Sequence, residues 1–205
     1  MHIKYQLDKG LNLTKDAGAF IADGKIPQVV VVNKFTEDSA KSFREDFSEA
    51  LDTGQNVVPI TIDSYGGQID SLMSMIDIIR SSPVPVITFA TGKAMSCGVV
   101  LLTCGKKRYI GAHSRVMIHD VASGSWGKVG KLKVSVKEAD KLNDEIYKIM
   151  EENIGKKPGY LSKIVEKKNR EDWFLTADQA LKHNVVTDIG VPGITVSLSM
   201  TTTFG

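Results

Sequence analysis

Four consecutive valines, Val29 to Val32, open the patterned part of the chain. A run that short and that apolar predicts a buried strand. After it, Ala40, Phe43, Phe47, Ala50 and Leu51 recur at three- and four-residue steps, which predicts a helix with one apolar face. Thr36 stands where its N-cap would be, and Gly54 where it would stop. The alternation then repeats. Val57 to Ile62 reads as a strand, "DSYGG" as a turn, and Ile69, Leu72, Met73, Ile76 and Ile79 as the face of a second helix, broken by Ser81-Ser82-Pro83. Val84 to Ala90 predicts a third strand and Ser96 to Leu102 a third helix. Short strands follow at Arg108 to Ile110 and Arg115 to Ile118.

Beyond His119 the pattern changes. "VASGSWGKVGK" is rich in glycine, and Leu132, Val136, Ala139, Leu142, Ile146 and Ile149 then mark a long helix running to about Ile154. That helix lies outside the alternating part. It either packs on its own sheet or protrudes to meet a neighbouring subunit. Thr176 and Gln179 have the spacing of a capping box for a last short helix, and Val185 to Ile189 predicts a closing strand. Residues 1–26 are polar and irregular, with room for a short strand and a turn, and 193–205 carry no usable pattern.

Strands that are apolar throughout, alternating with helices, predict an α/β fold: a parallel sheet covered by helices. Ligands in such folds sit at the carboxyl ends of the strands. Both glycine turns, "DSYGG" and "TGKAMSCG", fall there.

Composition narrows the function. The 205 residues suit one domain with a substantial core. A net charge of +2 gives no electrostatic reason to expect nucleic acid or a membrane surface. No stretch has the length of a membrane span and the first ten residues lack the core of a signal peptide, so a cytoplasmic protein is expected. Cys97 and Cys104 on one helix would be separated by about 10 Å of rise, too far for a disulfide. The two cysteines and four histidines have no zinc spacing, and no metal is expected.

The chemistry centres on "GKAMSCGVV", where small residues surround Ser96 between an apolar strand and an apolar helix. Ser96 either caps the helix or is presented as a nucleophile. A serine nucleophile needs a base, a group orienting that base, and donors for the oxyanion. His2, His113 and His183 lie at a terminus, in a polar turn and near a helix end, whereas His119 ends the apolar strand "RVMI" in the layer of the glycine turns. Gly66-Gly67 can expose a backbone N–H, and the N–H of Cys97 opens the helix after Ser96.

Taken in order, "ITIDSYGGQIDSLMSMIDII", "GKAMSCGVVLLTCGKKRYIGAHSRVMIHD" and "NREDWFLTADQALKHNVVTDIG" resemble the ClpP family of caseinolytic serine peptidases. The resemblance spans roughly residues 57 to 190. It implies a crotonase-like fold of repeated βαβ units carrying a protruding handle helix within 124–155. It also implies hydrolysis of peptide bonds, itself independent of ATP, by Ser96 as nucleophile, His119 as base and Asp172 as the acid orienting it. Glu171 is the neighbouring alternative to Asp172. Gly67 and Cys97 match the oxyanion donors. Gly66 and the segment with Ser125, Trp126 and Gly127 match the strip along which an extended substrate can pair. The family further implies heptameric rings stacked as a tetradecamer, an AAA+ ATPase unfoldase as partner, unfolded polypeptides as substrates, and no cofactor. Three alternatives share the fold: an inactive ring subunit, a Ser-Lys signal-peptide-peptidase-like protease, and a crotonase-type acyl-CoA enzyme. The sequence departs from the family at Tyr65, where proline is common, at Cys97, usually methionine, and in both terminal segments.

Overall fold

A computed structural model of the chain describes residues 2–6, 27–122, 124, 126–193 and 197–201, with the backbone alone for 2–6 and 197–201. The elements are β1 (His2–Gln6), β2 (Val30–Val32), α1 (Glu37–Asp52), β3 (Val58–Ser64), α2 (Ile69–Arg80), β4 (Val86–Met95), α3 (Cys97–Thr103), β5 (Lys107–Ile110), β6 (Arg115–Ile118), α4 (Val129–Asn153), α5 (Tyr160–Lys167), β7 (Trp173–Leu175), α6 (Ala177–Lys182), β8 (Asp188–Ile189) and β9 (Ser197–Thr201).

The expected α/β architecture is present. Strands run in the order β2-β3-β4-β5-β8, all parallel, with β6 joined to β4 and β7 to β6. A parallel strand is buried on both faces, which is why "VPITI" and "VITFA" are apolar but for one threonine each. Val58, Ile60, Ile62 and Thr88 have no exposed surface at all, and the Thr88 hydroxyl donates to the Leu102 carbonyl at 2.6 Å. Two helices start where side chains meet their orphan amides. Thr36 and Ser39 form a reciprocal box at the start of α1, and Thr176 and Gln179 another at α6.

Three expectations are revised. The third strand continues past Ala90 through Gly92 to Met95, because Lys93, Ala94 and Met95 pair with Arg115, Val116 and Met117 of β6. The segment read as a turn is therefore strand up to the residue before Ser96. The closing strand shrinks to Asp188–Ile189. Val185 and Val186 are buried, but the Arg108 guanidinium draws off the Val185 and Asn184 carbonyls at 3.1 Å each. Finally, α5 and β7 occupy a region where no element was expected.

The long helix runs from Val129 to Asn153. Only its second half packs: Ile146, Tyr147, Ile149 and Met150 are buried, whereas Val129, Val134 and Val136 are 59–68% exposed. β1 and β9 pair antiparallel, His2 opposite Thr201, in a separate two-stranded sheet.

Candidate active site

β4 delivers Ser96 to the edge of the sheet in an unusual backbone conformation, φ 55° and ψ −123°. A residue with a Cβ adopts such angles only where its surroundings impose them, at about 1–3 kcal/mol. Here they are imposed from both sides. The Ser96 N–H donates to the Met117 carbonyl at 3.0 Å, extending the β4–β6 pairing, and the Ser96 carbonyl accepts the first bond of α3, from Val99 N–H at 3.1 Å. All seven residues of α3 are buried, so the helix has no freedom to turn away. The Ser96 side chain makes no capping hydrogen bond. The capping role that competed with the nucleophile role is therefore absent.

Two glycines close round this elbow. Gly66 has φ 109° and Gly67 φ 152°, both in the range that favours glycine. A Cβ on Gly66 would stand 3.0 Å from Ser96 Oγ, and one on Gly67 would collide with the Phe35 carbonyl oxygen. Gln68 N–H donates to that carbonyl at 2.8 Å and anchors the turn without using the Gly67 amide. The Cys97 thiol donates to the Gly67 carbonyl at 3.3 Å, tying the glycine turn to the first residue of α3. Burial pushes this thiol's pKa up, which keeps it in the neutral, donating form.

His119 follows the last residue of β6 and is half-buried. It shares with Ser96, Gly67 and Cys97 a cavity of about 90 Å³. The remaining lining is largely apolar: Ile69, Leu72, Val99, Val100, Ile118, Ile146 and Met150. Asp172 precedes β7 and is exposed. β6 and β7 pair Val116 with Leu175, Met117 with Phe174 and Ile118 with Trp173. One more pair would set His119 opposite Asp172, but the ladder stops short of it. Among the described residues no hydrogen bond joins Ser96 to His119 or His119 to Asp172. The fold thus brings the serine and the histidine to one cavity and the aspartate to the adjoining strand end, with the three side chains unlinked. Glu171 is equally exposed but lies one position further from the ladder.

Of the expected substrate strip, Gly66 abuts Ser96 as described. Trp126 is 94% exposed and does not line the cavity, and Gly127 adopts φ 145°. The described residues between His119 and Lys128 form no strand, and Ser125 lies outside the described residues. Lys93, three residues before Ser96, is engaged elsewhere. Its ammonium sits 2.7 Å from Asp63 and 4.3 Å from the centre of the Tyr65 ring.

Asp120 escaped the sequence reading. Its carboxylate accepts from Arg170 at 2.7 Å, Tyr147 at 2.8 Å and Asn143 at 3.4 Å. Burial pushes its pKa up, but the hydrogen bonds of Arg170 and Tyr147 outweigh this, and Asp120 ionises below the usual carboxylate range. These partners lie 50, 27 and 23 residues away along the chain, so no local pattern could have revealed them. Among the described residues no group of three or more His, Cys, Asp or Glu side chains could hold a metal ion, and no helix is long and apolar enough to cross a membrane.

Comparison with known proteins agrees with this architecture. The sequence profile described as Clp protease matches residues 27–192. A curated relative, the ATP-dependent Clp protease proteolytic subunit of Porphyromonas gingivalis, is 30% identical over 145 residues, covering 70% of this chain and 63% of the relative. The chain therefore spans less than two thirds of that relative's length. With a parallel sheet, a serine elbow beside paired glycines and a half-packed long helix inside the matched residues, the chain belongs to the Clp protease family.

Proposed function

We propose that the chain is a serine peptidase in which Ser96 attacks a peptide carbonyl while His119 takes its proton. One observation carries this reading: Ser96 is held at φ 55° on a strand–helix elbow, uncapped, in the same cavity as a histidine at the end of the neighbouring strand. The tetrahedral oxyanion would rest on the amides of Gly67 and Cys97, the latter in the first turn of α3, where no intrahelical carbonyl accepts it. His119 then protonates the leaving amine, and water releases the acyl-enzyme. Asp172 orients His119 once the β6–β7 ladder closes by its last pair. None of these steps consumes ATP or calls for a cofactor.

The apolar cavity beside Ser96 suits an apolar side chain next to the scissile bond. The exposed first half of α4 supports self-assembly, in this reading as heptameric rings stacked through their handles. An AAA+ unfoldase feeding unfolded polypeptides to such a chamber, in the cytoplasm, completes the proposal. A monomeric mass in light scattering at micromolar concentration would overturn the assembly.

Fluorophosphonate labelling of the native protein, read by peptide mass spectrometry, tests the chemistry. Label at Ser96 that Ser96→Ala and His119→Ala both abolish is the expected result. Label that survives His119→Ala would refute histidine activation. The unlinked triad favours one second reading, a catalytically silent ring subunit. Folded, assembled protein that takes no label would establish it.

A further inference from the structure

The carboxylate that follows the candidate base is the most heavily engaged one near the site. Asp120 Oδ2 receives Arg170 Nη1 at 2.7 Å, while Oδ1 receives the Tyr147 hydroxyl at 2.8 Å and Asn143 Nδ2 at 3.4 Å. Asn143 uses its own oxygen to accept the Val121 N–H at 3.0 Å. Two consecutive backbone positions, Asp120 and Val121, are thereby fixed to α4. The same carboxylate reaches across to the segment that carries Asp172. Asn169 and Arg170 have φ 57° and 58°, a left-handed double step that turns the chain out of α5 and sends the Arg170 side chain to Asp120. The backbone ladder between β6 and β7 ends at Ile118 and Trp173. Beyond that point the ion pair of Asp120 with Arg170 is the next link between the two strands among the described residues.

We propose that Asp120 is a positioning residue of the peptidase site, clasping the end of β6 to the Arg170–Asp172 segment and to α4 so that His119 is held at working distance from Asp172. The proposal rests on the serine-peptidase reading. Asp120 lines the cavity, but among the described residues its hydrogen bonds go to Arg170, Tyr147 and Asn143 and none to Ser96; it acts through the placement of His119. Tyr147 also lines the cavity, so the clasp joins the packing of α4 to the alignment of the base.

The test is the kinetics of fluorophosphonate modification at Ser96, separating initial binding of the probe from the bond-forming rate. The full-length wild type, Asp120→Asn, Arg170→Gln, the double variant and Arg170→Lys are compared, each verified as folded by circular dichroism. Asp120→Asn keeps an acceptor for Tyr147 but removes the charge that Arg170 meets. Arg170 is 60% exposed at its side chain, so Arg170→Gln leaves the core untouched if Asp120→Asn fails to fold. Misplacing a base by about 1 Å can cost about a hundredfold. Each single substitution is expected to slow bond formation by about that factor with probe binding unchanged. The double variant should be no slower than the slower single one, and Arg170→Lys should recover part of the rate. A wild-type rate in folded Asp120→Asn or in Arg170→Gln would overturn the clasp, as would losses that multiply in the double variant. Wild-type protein that takes no label at Ser96 would instead remove the peptidase reading, and the clasp with it.

Discussion

A Cβ added to Gly66 would stand 2.7 Å from the Cβ of Ser96, closer than two such atoms can pack. The contact is doubly closed to other residues, since Gly66 also has φ 109°. Gly66→Ala should therefore do two things at once. It should destabilise the fold by about 1–3 kcal/mol through backbone strain, and it should push Ser96 off its elbow. Urea denaturation reads the first effect and the rate of fluorophosphonate modification the second. A variant that labels at the wild-type rate would mean that the glycine turn does not position the serine.

Ser96 itself carries backbone strain, with φ 55°. Glycine adopts φ 55° without a Cβ penalty, so Ser96→Gly should stabilise the protein by about 1 kcal/mol while abolishing labelling. Ser96→Ala keeps the Cβ and should give no such gain. Comparing the urea midpoints of the two variants separates relief of strain from loss of the hydroxyl.

Arg108 is 6% exposed and forms no ion pair with a carboxylate among the described residues; its guanidinium donates instead to the carbonyls of Val185, Gly105 and Asn184. Burial lowers its pKa, although arginine remains charged across the ordinary pH range. Lysine cannot present donors in a planar fork. Arg108→Lys should cost about 2 kcal/mol by leaving buried carbonyls unmet, measurable as a lowered urea midpoint with the labelling rate of the folded fraction unchanged.

His183 should make stability pH-dependent. Burial lowers its pKa, and Lys182 and Lys156 lower it further. Its Nδ1 lies 2.7 Å from the Tyr160 hydroxyl and its ring meets the Trp173 ring edge-on at 4.9 Å. A histidine whose folded pKa is depressed binds its proton more readily in the unfolded chain. Stability should therefore fall as the pH drops through the ordinary histidine value, about 6.5, towards the lower folded value, and level off below that. His183→Gln should flatten this limb of the profile. Urea midpoints between about pH 8 and pH 5 give the comparison.

Much of this was legible beforehand where the determinants are local. The capping box at Thr176 and Gln179 lies within four residues, and the helical stripes of α1 and α2 repeat within two turns. Ser96 and His119 could be placed at strand ends because apolar runs point to both. The extension of β4 was illegible because Thr91-Gly92-Lys93 has turn chemistry, and only pairing with β6 makes it strand. β7 has three residues, too few for periodicity to register. β9 pairs with residues near the other end of the sequence, and Asp120 draws its partners from two distant segments, α4 and the turn at Arg170. Asp172 came from resemblance, since its setting among Glu166, Lys167, Lys168, Arg170 and Glu171 offers nothing to distinguish it.

β4 is a forked strand. Its first part, Ile87–Ala90, pairs with β5 in the main sheet, and its last part, Lys93–Met95, pairs with β6. Ser96 and His119 thus stand at the ends of two paired strands, and Ser64 of β3 pairs with Ala94, so the β4 tip is held from both sides. Backbone held in that way opens rarely. Hydrogen exchange at Ala94 should therefore be slow, and Ser96 and His119 would keep their spacing while the loops around them move.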